Sequence, residues 1–155
     1  MITTLLFDLS RVLLLPKDIT YIGELNALHR DLSSQPAYSF SENFELNQPL
    51  FDLLKQLQNH QELYIFTSGN IQNALEVKVA LEPLFKQVFS AMDIGHNKKD
   101  PQAYTKILTL ISKNPEEVLF IDDSPENVGA ARQAKLKAIQ YISFEQLTTD
   151  LQKLL

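Results

Sequence analysis

Polar side chains that can do chemistry follow apolar stretches at three places in this sequence. They are Asp8 after Leu5-Leu6-Phe7, Thr67 and Ser68 after Leu63-Tyr64-Ile65-Phe66, and Asp122 and Asp123 after Val118-Leu119-Phe120-Ile121. A carboxylate in such a position can attack a phosphoryl group, hydroxyl and backbone N–H groups can hold phosphate oxygens, and paired acids can hold Mg²⁺. Lys98, shortly before a predicted helix, can supply a cation to the same phosphate. Together these residue types favour a phosphoryl-transfer site.

Each of these residues also has a commoner structural explanation. Asp8 can cap the loop after a strand, Thr67-Ser68-Gly69 can be a plain turn, and Asp122-Asp123 can be loop and cap acids. Lys98-Lys99 can be solvated surface. The order of the stretches and their joint placement favour the functional interpretation over these alternatives.

The apolar stretches predict strands, and the segments between them predict helices. Five strands are expected, at about residues 3–7, 63–66, 88–89, 118–121 and 138–141, with a short extended piece at 12–15. Strands that alternate with helices indicate an α/β domain of three layers with a doubly wound parallel sheet. In such a sheet the carboxyl ends of the strands lie along one edge, so the sheet would bring the polar residues together.

Capping residues and prolines predict where the helices begin. The expected starts are Asn47-Gln48-Pro49, Asp100-Pro101, Ser124-Pro125 and the capping box of Ser143 with Gln146. A further helix is expected from about residue 71 to 81, limited by Pro83. These helices cover both faces of the predicted sheet.

Residues 17–46 do not fit the alternation of strand and helix. Ile19, Tyr21, Ile22, Leu25 and Leu28 predict one short amphipathic helix, and the polar stretch from Ser33 to Asn43 predicts a loop. At about thirty residues, this connection is longer than an ordinary one between a strand and a helix. We therefore expect an insert after the first strand.

Composition limits the class of protein. The sequence has 155 residues, a net charge of −5 and no cysteine. This length suggests one domain, 1–155, and the negative charge argues against nucleic-acid binding. No apolar run is long enough to cross a bilayer, so no membrane partner is expected. The lack of cysteine fits a cytoplasmic protein.

With its four motifs in order, the sequence resembles the haloacid dehalogenase-like hydrolases over nearly its whole length. The motifs are Phe7-Asp8-Leu9-Ser10-Arg11-Val12-Leu13, Ile65-Phe66-Thr67-Ser68, Lys98-Lys99-Asp100-Pro101 and Phe120-Ile121-Asp122-Asp123-Ser124-Pro125-Glu126-Asn127. The resemblance implies a Rossmann-like fold and a Mg²⁺-dependent phosphatase that acts on a small phosphorylated metabolite through an aspartyl-phosphate. The implied site residues are Asp8 and Lys98 for catalysis, Thr67, Ser68 and Lys98 for phosphate, and Asp8, the Ser10 carbonyl, Asp122 and Asp123 for the metal.

The sequence departs from the family pattern at three points. Ser10 stands where phosphatases of the family usually have a second Asp, the general acid/base, although Leu9-Ser10-Arg11-Val12 is close to the Asp-Leu-Gly-Gly/Asn-Val variant found among bacterial sugar-phosphate phosphatases. Lys99 replaces a proline of the third motif. The insert at 17–46 lies where the family has its cap, at about half the usual length.

These departures leave two hypotheses of function. One is the phosphatase; the other is a degenerate member of the family that binds a phosphorylated ligand or a partner without efficient turnover. A short cap leaves the site more open, which favours a larger substrate, slow promiscuous turnover, or a homo-oligomer in which a partner subunit completes the site.

Overall fold

The computed structural model describes all 155 residues and contains seven β-strands. They are β1 Thr4–Phe7, β2 Leu14–Pro16, β3 Phe44–Leu46, β4 Glu62–Thr67, β5 Gln87–Ser90, β6 Val118–Asp122 and β7 Lys137–Gln140. Five of them form one parallel sheet in the order β5-β4-β1-β6-β7. Because β1 is central and the chain extends the sheet in both directions from it, the predicted doubly wound parallel sheet is confirmed.

Eight α-helices lie between and beside the strands. They are α1 Leu25–Ser33, α2 Phe40–Asn43, α3 Gln48–Leu57, α4 Leu75–Leu81, α5 Ala91–Ile94, α6 Pro101–Ile111, α7 Pro125–Gln133 and α8 Phe144–Leu154. Three predicted N-caps are confirmed, since the side chains of Asp100, Ser124 and Ser143 accept backbone N–H groups of the first turns of α6, α7 and α8. No helix is long and apolar enough to cross a membrane.

Two apolar cores cover the two faces of the sheet, as expected of three layers. Along β1, side chains point alternately to opposite faces. Leu5 and Phe7 belong to a core of 25 buried residues, whereas Leu6 belongs to a second core of 14. The first core includes residues of α3, α4 and α8, and the second includes residues of α6 and α7. The three-layer arrangement follows from this alternation.

The structure corrects the prediction for residues 17–46. The amphipathic helix does not include Ile19 and Ile22, which are 92% and 94% exposed in a loop, and α1 begins only at Leu25. The Asp18 carboxylate accepts hydrogen bonds from the backbone N–H and hydroxyl of Thr20, which stabilises a turn there. The loop predicted from Ser33 to Asn43 contains α2, and β3 follows it and pairs antiparallel with β2.

Two other local predictions are wrong in detail. The predicted helix from 71 to 81 is broken at Ala74, whose extended backbone separates a 3₁₀ turn, Ile71–Asn73, from α4. Asn47 precedes α3, but its side chain does not cap the helix. Instead its amide donates to the Val12 carbonyl and the Tyr141 hydroxyl, both at 2.8 Å. The Asn47 side chain therefore joins distant parts of the chain instead of capping the helix that follows it.

Candidate active site

Asp8 and Asp122 lie side by side at the carboxyl edge of the sheet. Phe7 of β1 is opposite Ile121 of β6, and the Asp8 N–H donates to the Ile121 carbonyl at 2.8 Å. Each acid is the next residue along its strand, so both carboxylates leave the sheet on the same side. Asp8 is 6% exposed and Asp122 is fully buried. The pairing register therefore places two carboxylates together in a buried position.

The ammonium of Lys98 lies between these two carboxylates. Its Nζ is 2.6 Å from Asp8 Oδ1 and 2.6 Å from Asp122 Oδ2. Lys98 is buried, and its Nζ lies 5.6 Å from the ring centroids of both Phe66 and Phe120. Charge-assisted hydrogen bonds of this length in a buried place are strong. Lys98 therefore holds the two acids in fixed positions and leaves Asp8 Oδ2 without a protein partner.

The neighbouring acids Asp122 and Asp123 have different surroundings. Asp122 Oδ1 accepts the Ser124 N–H at 2.8 Å, and the Asn127 amide nitrogen lies 3.2 and 3.1 Å from the two oxygens of Asp122. The Asp123 carboxylate accepts no hydrogen bond from another residue, and it lines the cavity described below. Asp123 is therefore the acid of the pair whose oxygens are available to a ligand.

Burial and mutual repulsion change the protonation of this group. Burial raises the pKa of Asp8 to about 7, although the Lys98 charge opposes the change. Burial, followed by the Asp122 charge, also raises the pKa of Asp123. Burial alone would lower the pKa of Lys98, but the two carboxylates outweigh it, so the net pKa is raised. Lys98 is therefore charged, and a further cation beside Asp8 and Asp123 would oppose the rise of their pKa values.

The residues present fit a divalent cation. One oxygen from each of Asp8, Asp122 and Asp123 lies within 4.8 Å of the others. When ionised, the three acids and Lys98 carry three negative charges and one positive charge, and the difference equals the charge of one Mg²⁺. Carboxylate and carbonyl oxygens are the ligands that Mg²⁺ prefers, and no cysteine competes for a softer metal.

A cavity of about 610 Å³ opens at this edge of the sheet. Its lining includes Asp8, Ser10, Ser68, Lys98 and Asp123, and only two of its lining residues, Ile22 and Leu25, are hydrophobic. Two predicted site residues do not line the cavity: Thr67, which is 1% exposed at the end of β4, and Asp122. The structure thus brings all seven predicted residues to one edge of the sheet, but Thr67 and Asp122 are buried beneath the wall of the cavity.

Ser10 and Arg11 follow Asp8 in the turn that leaves β1. The Ser10 Oγ is buried and has no hydrogen-bond partner. Arg11 has a positive φ of 63°, and its guanidinium donates to the carbonyls of Tyr21 and Gly23 at 2.9 and 2.6 Å. Arg11 therefore ties the start of the insert to the turn that carries Asp8.

Tyr104 and Asn127 were not among the predicted site residues, although both contact residues of the site. The Tyr104 hydroxyl donates to the Lys98 carbonyl at 2.7 Å and contacts the Asn127 carbonyl at 3.1 Å, while the Asn127 side chain holds Asp122. The signal for Tyr104 was its hydroxyl on an otherwise apolar helix face, since a buried tyrosine usually finds a hydrogen-bond partner. Asn127 had no comparable signal beyond its place in the fourth motif.

The parallel sheet and the acids at its carboxyl edge agree with the family that the four motifs resemble, and a family model matches the chain. Residues 20–135 match the family model of the haloacid dehalogenase-like hydrolases. The chain belongs to this family, and the resemblance carried by the four motifs is confirmed.

Two curated relatives are both enolase-phosphatases E1. The one from Persephonella marina is 30% identical over an alignment of 125 residues, and the match covers 66% of this chain and 50% of the relative. The one from Aquifex aeolicus is 34% identical over an alignment of 108 residues, and the match covers 63% of this chain and 48% of the relative. The chain therefore spans about half the length of the curated relatives it matches.

A solved structure matches over nearly the full length of both chains. It is a haloacid dehalogenase family enzyme from Bacteroides thetaiotaomicron in complex with magnesium and inorganic phosphate. Its TM-score is 0.70, its sequence identity is 17%, and the match covers 95% of this chain and 99% of that one. At this identity the likeness establishes the fold.

Proposed function

We propose that the protein is a Mg²⁺-dependent phosphatase that acts on a small phosphorylated metabolite through an aspartyl-phosphate on Asp8. The observation that carries the proposal is the arrangement of Asp8, Lys98 and Asp123 on one polar cavity. The relatives named as phosphatases support the same class of reaction. Because the chain spans about half of those relatives, their substrate is not assigned to this protein.

Asp8 is the proposed nucleophile because it offers a free oxygen to the cavity. Lys98 binds Oδ1 and fixes the carboxylate, and Oδ2 has no protein partner. In the first step Asp8 attacks phosphorus, the bond from phosphorus to the leaving oxygen breaks, and that oxygen takes a proton. In the second step water attacks the same phosphorus, which releases inorganic phosphate and restores the Asp8 carboxylate.

The residues that would hold Mg²⁺ are Asp8, the Ser10 carbonyl and Asp123, with Asp122 as a further or alternative ligand. When bound, the metal neutralises charge that develops on the phosphoryl oxygens. Ser68 lines the cavity and Thr67 ends the neighbouring strand, so these two are the proposed phosphate contacts from the loop after β4. Lys98 shares its charge between the nucleophile and Asp122.

Ser10 determines which leaving groups the site can release. A serine hydroxyl does not hold a proton ready for an alkoxide, and loss of a general acid costs roughly 10²- to 10⁴-fold in rate. The leaving oxygen must then take its proton from water or from the substrate. We therefore expect aryl and acyl phosphates to be cleaved much faster than simple alkyl phosphates.

The test is kcat/KM over phosphate esters of graded leaving-group pKa, with and without Mg²⁺. Asp8→Asn should abolish turnover of every ester, and Ser10→Asp should raise alkyl-phosphate turnover more than aryl. A flat dependence on leaving-group pKa would mean that another residue supplies the proton. If the folded, Mg²⁺-bound protein cleaves no ester, the phosphatase proposal fails and the non-catalytic binding hypothesis takes its place.

The remaining expectations belong to the same proposal. Residues 17–46 would act as a reduced cap on a single domain, 1–155, and Ile22 and Leu25 of this insert do line the cavity. No nucleic-acid or membrane partner is proposed, and the cytoplasmic location and the homo-oligomer stay predictions.

A further inference from the structure

Asn26, in the first turn of α1, makes an unusual contact with the loop that follows β4. Its Oδ1 accepts two neighbouring backbone N–H groups, from Asn70 at 3.0 Å and from Ile71 at 2.9 Å. These two contacts fix the orientation of the Asn26 amide. If the amide were rotated by 180°, its NH₂ group would face the two backbone N–H groups, and no hydrogen bond could form. A residue of the insert therefore holds the backbone of the loop that begins with Thr67 and Ser68.

Gly69 makes room for this contact. A Cβ at position 69 would lie 2.3 Å from both Cγ and Oδ1 of Asn26, and the three atoms nearest to it all belong to that side chain. No side chain other than hydrogen can therefore occupy position 69 while Asn26 keeps its place. The loop and the insert are built to fit each other at this point.

The insert that carries Asn26 is itself fixed to the body of the protein. Leu25 and Phe44 are 1% and 2% exposed, and both belong to the larger apolar core. Arg11 binds two carbonyls of the insert, and β3 pairs with β2. An element held by core packing, a guanidinium and a strand pair does not move as a unit without breaking all three.

We propose that Asn26 is a positioning residue: it sets the conformation of the loop at 67–71 toward Asp8, and the insert is a fixed wall of the site. The catalytic part of this proposal rests on the phosphatase function proposed above. Asn26 acts through the loop backbone, which presents Ser68 to the cavity, and an error of about 1 Å in such a part of a site can cost on the order of 100-fold in rate.

The direct test is amide hydrogen exchange at Asn70 and Ile71, which needs no substrate. Exchange at both amides should speed up in Asn26→Ala and in Gly69→Ala, and stay slow in Asn26→Asp, whose carboxylate can still accept both N–H groups. Asp31→Ala, an exposed change on the same helix, is the matched control. If the exchange rates of both amides are unchanged in Asn26→Ala and in Gly69→Ala, the hydrogen bonds assigned to Asn26 do not hold this loop, and the proposal fails.

The functional test uses the best phosphate ester found and the affinity for inorganic phosphate with Mg²⁺. We expect kcat/KM to fall roughly 10- to 100-fold and phosphate to bind more weakly in Asn26→Ala and in Gly69→Ala, with no further loss in the double variant. A purely structural role would lower Tm and leave kcat/KM of the folded enzyme unchanged, which would overturn the proposal, as would additive losses in the double variant.

The two proposals fail in different ways. If the wild type hydrolyses no ester but binds phosphate, the phosphatase function is refuted, and phosphate affinity in the variants decides the role of Asn26. If the wild type neither cleaves an ester nor binds phosphate with Mg²⁺, the positioning role is refuted whatever the exchange data show.

Discussion

Replacing Lys98 by methionine should destabilise the protein strongly, because Lys98 is the cation between two buried carboxylates. Both ion pairs are 2.6 Å long, and the side chains of Lys98, Asp8 and Asp122 are 3%, 9% and 0% exposed. Removing one partner of a buried ion pair typically costs about 3–5 kcal/mol, since the remaining charge stays buried. For a chain of this size that loss lowers Tm by roughly 6–20 °C.

The neighbouring residue provides the matched control. Lys99 pairs with Glu126, but these side chains are 65% and 63% exposed. An exposed ion pair contributes little to stability because solvent screens it, so Lys99→Met should leave Tm almost unchanged.

The measurement is thermal unfolding of both Lys variants at neutral pH in the presence of a chelator. Because the Lys98 charge lowers the pKa of Asp8, the Lys98→Met variant should take up a proton there more readily, and its deficit should shrink as the pH falls. If Lys98→Met loses no more stability than Lys99→Met, the assigned ion pairs do not hold this edge of the sheet together.

Three further outcomes are expected. Because the Asp8 pKa is raised from 3.8 to about 7, its contribution to stability is fully present at low pH and is lost as the pH rises through about 7. Urea unfolding of the metal-free protein should therefore show wild type losing about 2–3 kcal/mol more than Asp8→Asn between about pH 5 and about pH 8, and equal slopes would contradict this. Calorimetry with Mg²⁺ should show a large loss of affinity in Asp123→Ala, whereas wild-type affinity in that variant would count against Asp123 as a ligand. Tyr104→Phe, which removes the hydroxyl that donates to the Lys98 carbonyl, should lose about 1–3 kcal/mol in urea unfolding, and a loss within about 0.5 kcal/mol would mean that another donor replaces the hydroxyl.

The central sheet could be predicted because buried parallel strands consist of short runs of apolar residues. Each such run ends at a polar residue, which also marks the functional edge. The insert could not be predicted in the same way. Ile19 and Ile22 have helical spacing but stay in solvent, whereas Phe40 and Phe44 stack at 4.8 Å in short elements that no periodic pattern announces. Elements this short depend on tertiary packing rather than on their own sequence.

The clustering of the predicted residues at one edge could be anticipated from the sequence, but its geometry could not. The strand ends and their register place Asp8 and Asp122 at one edge. Only the side-chain contacts show that Lys98 bridges these two acids, whereas the Asp123 carboxylate accepts no hydrogen bond from another residue. The contact of Asn26 with Asn70 joins residues 44 apart in sequence, and each of the two residues reads as an ordinary surface asparagine. Long-range polar contacts leave no periodic signal, so the structure was needed to find them.

The charges of the site predict that phosphate binding depends on a bound cation. Without a metal, a phosphate dianion that enters the cavity meets three acids and a lysine already shared between two of them. At 4 Å a single pair of like charges costs about 4 kcal/mol at an effective dielectric constant of about 20, so unneutralised acids would exclude phosphate. A divalent cation held by Asp8 and Asp123 would remove that repulsion and would add attraction beside Asp8, the proposed nucleophile. We therefore expect inorganic phosphate to bind measurably only after Mg²⁺, and metal-free binding of equal affinity would show that Lys98 acts on phosphate without help.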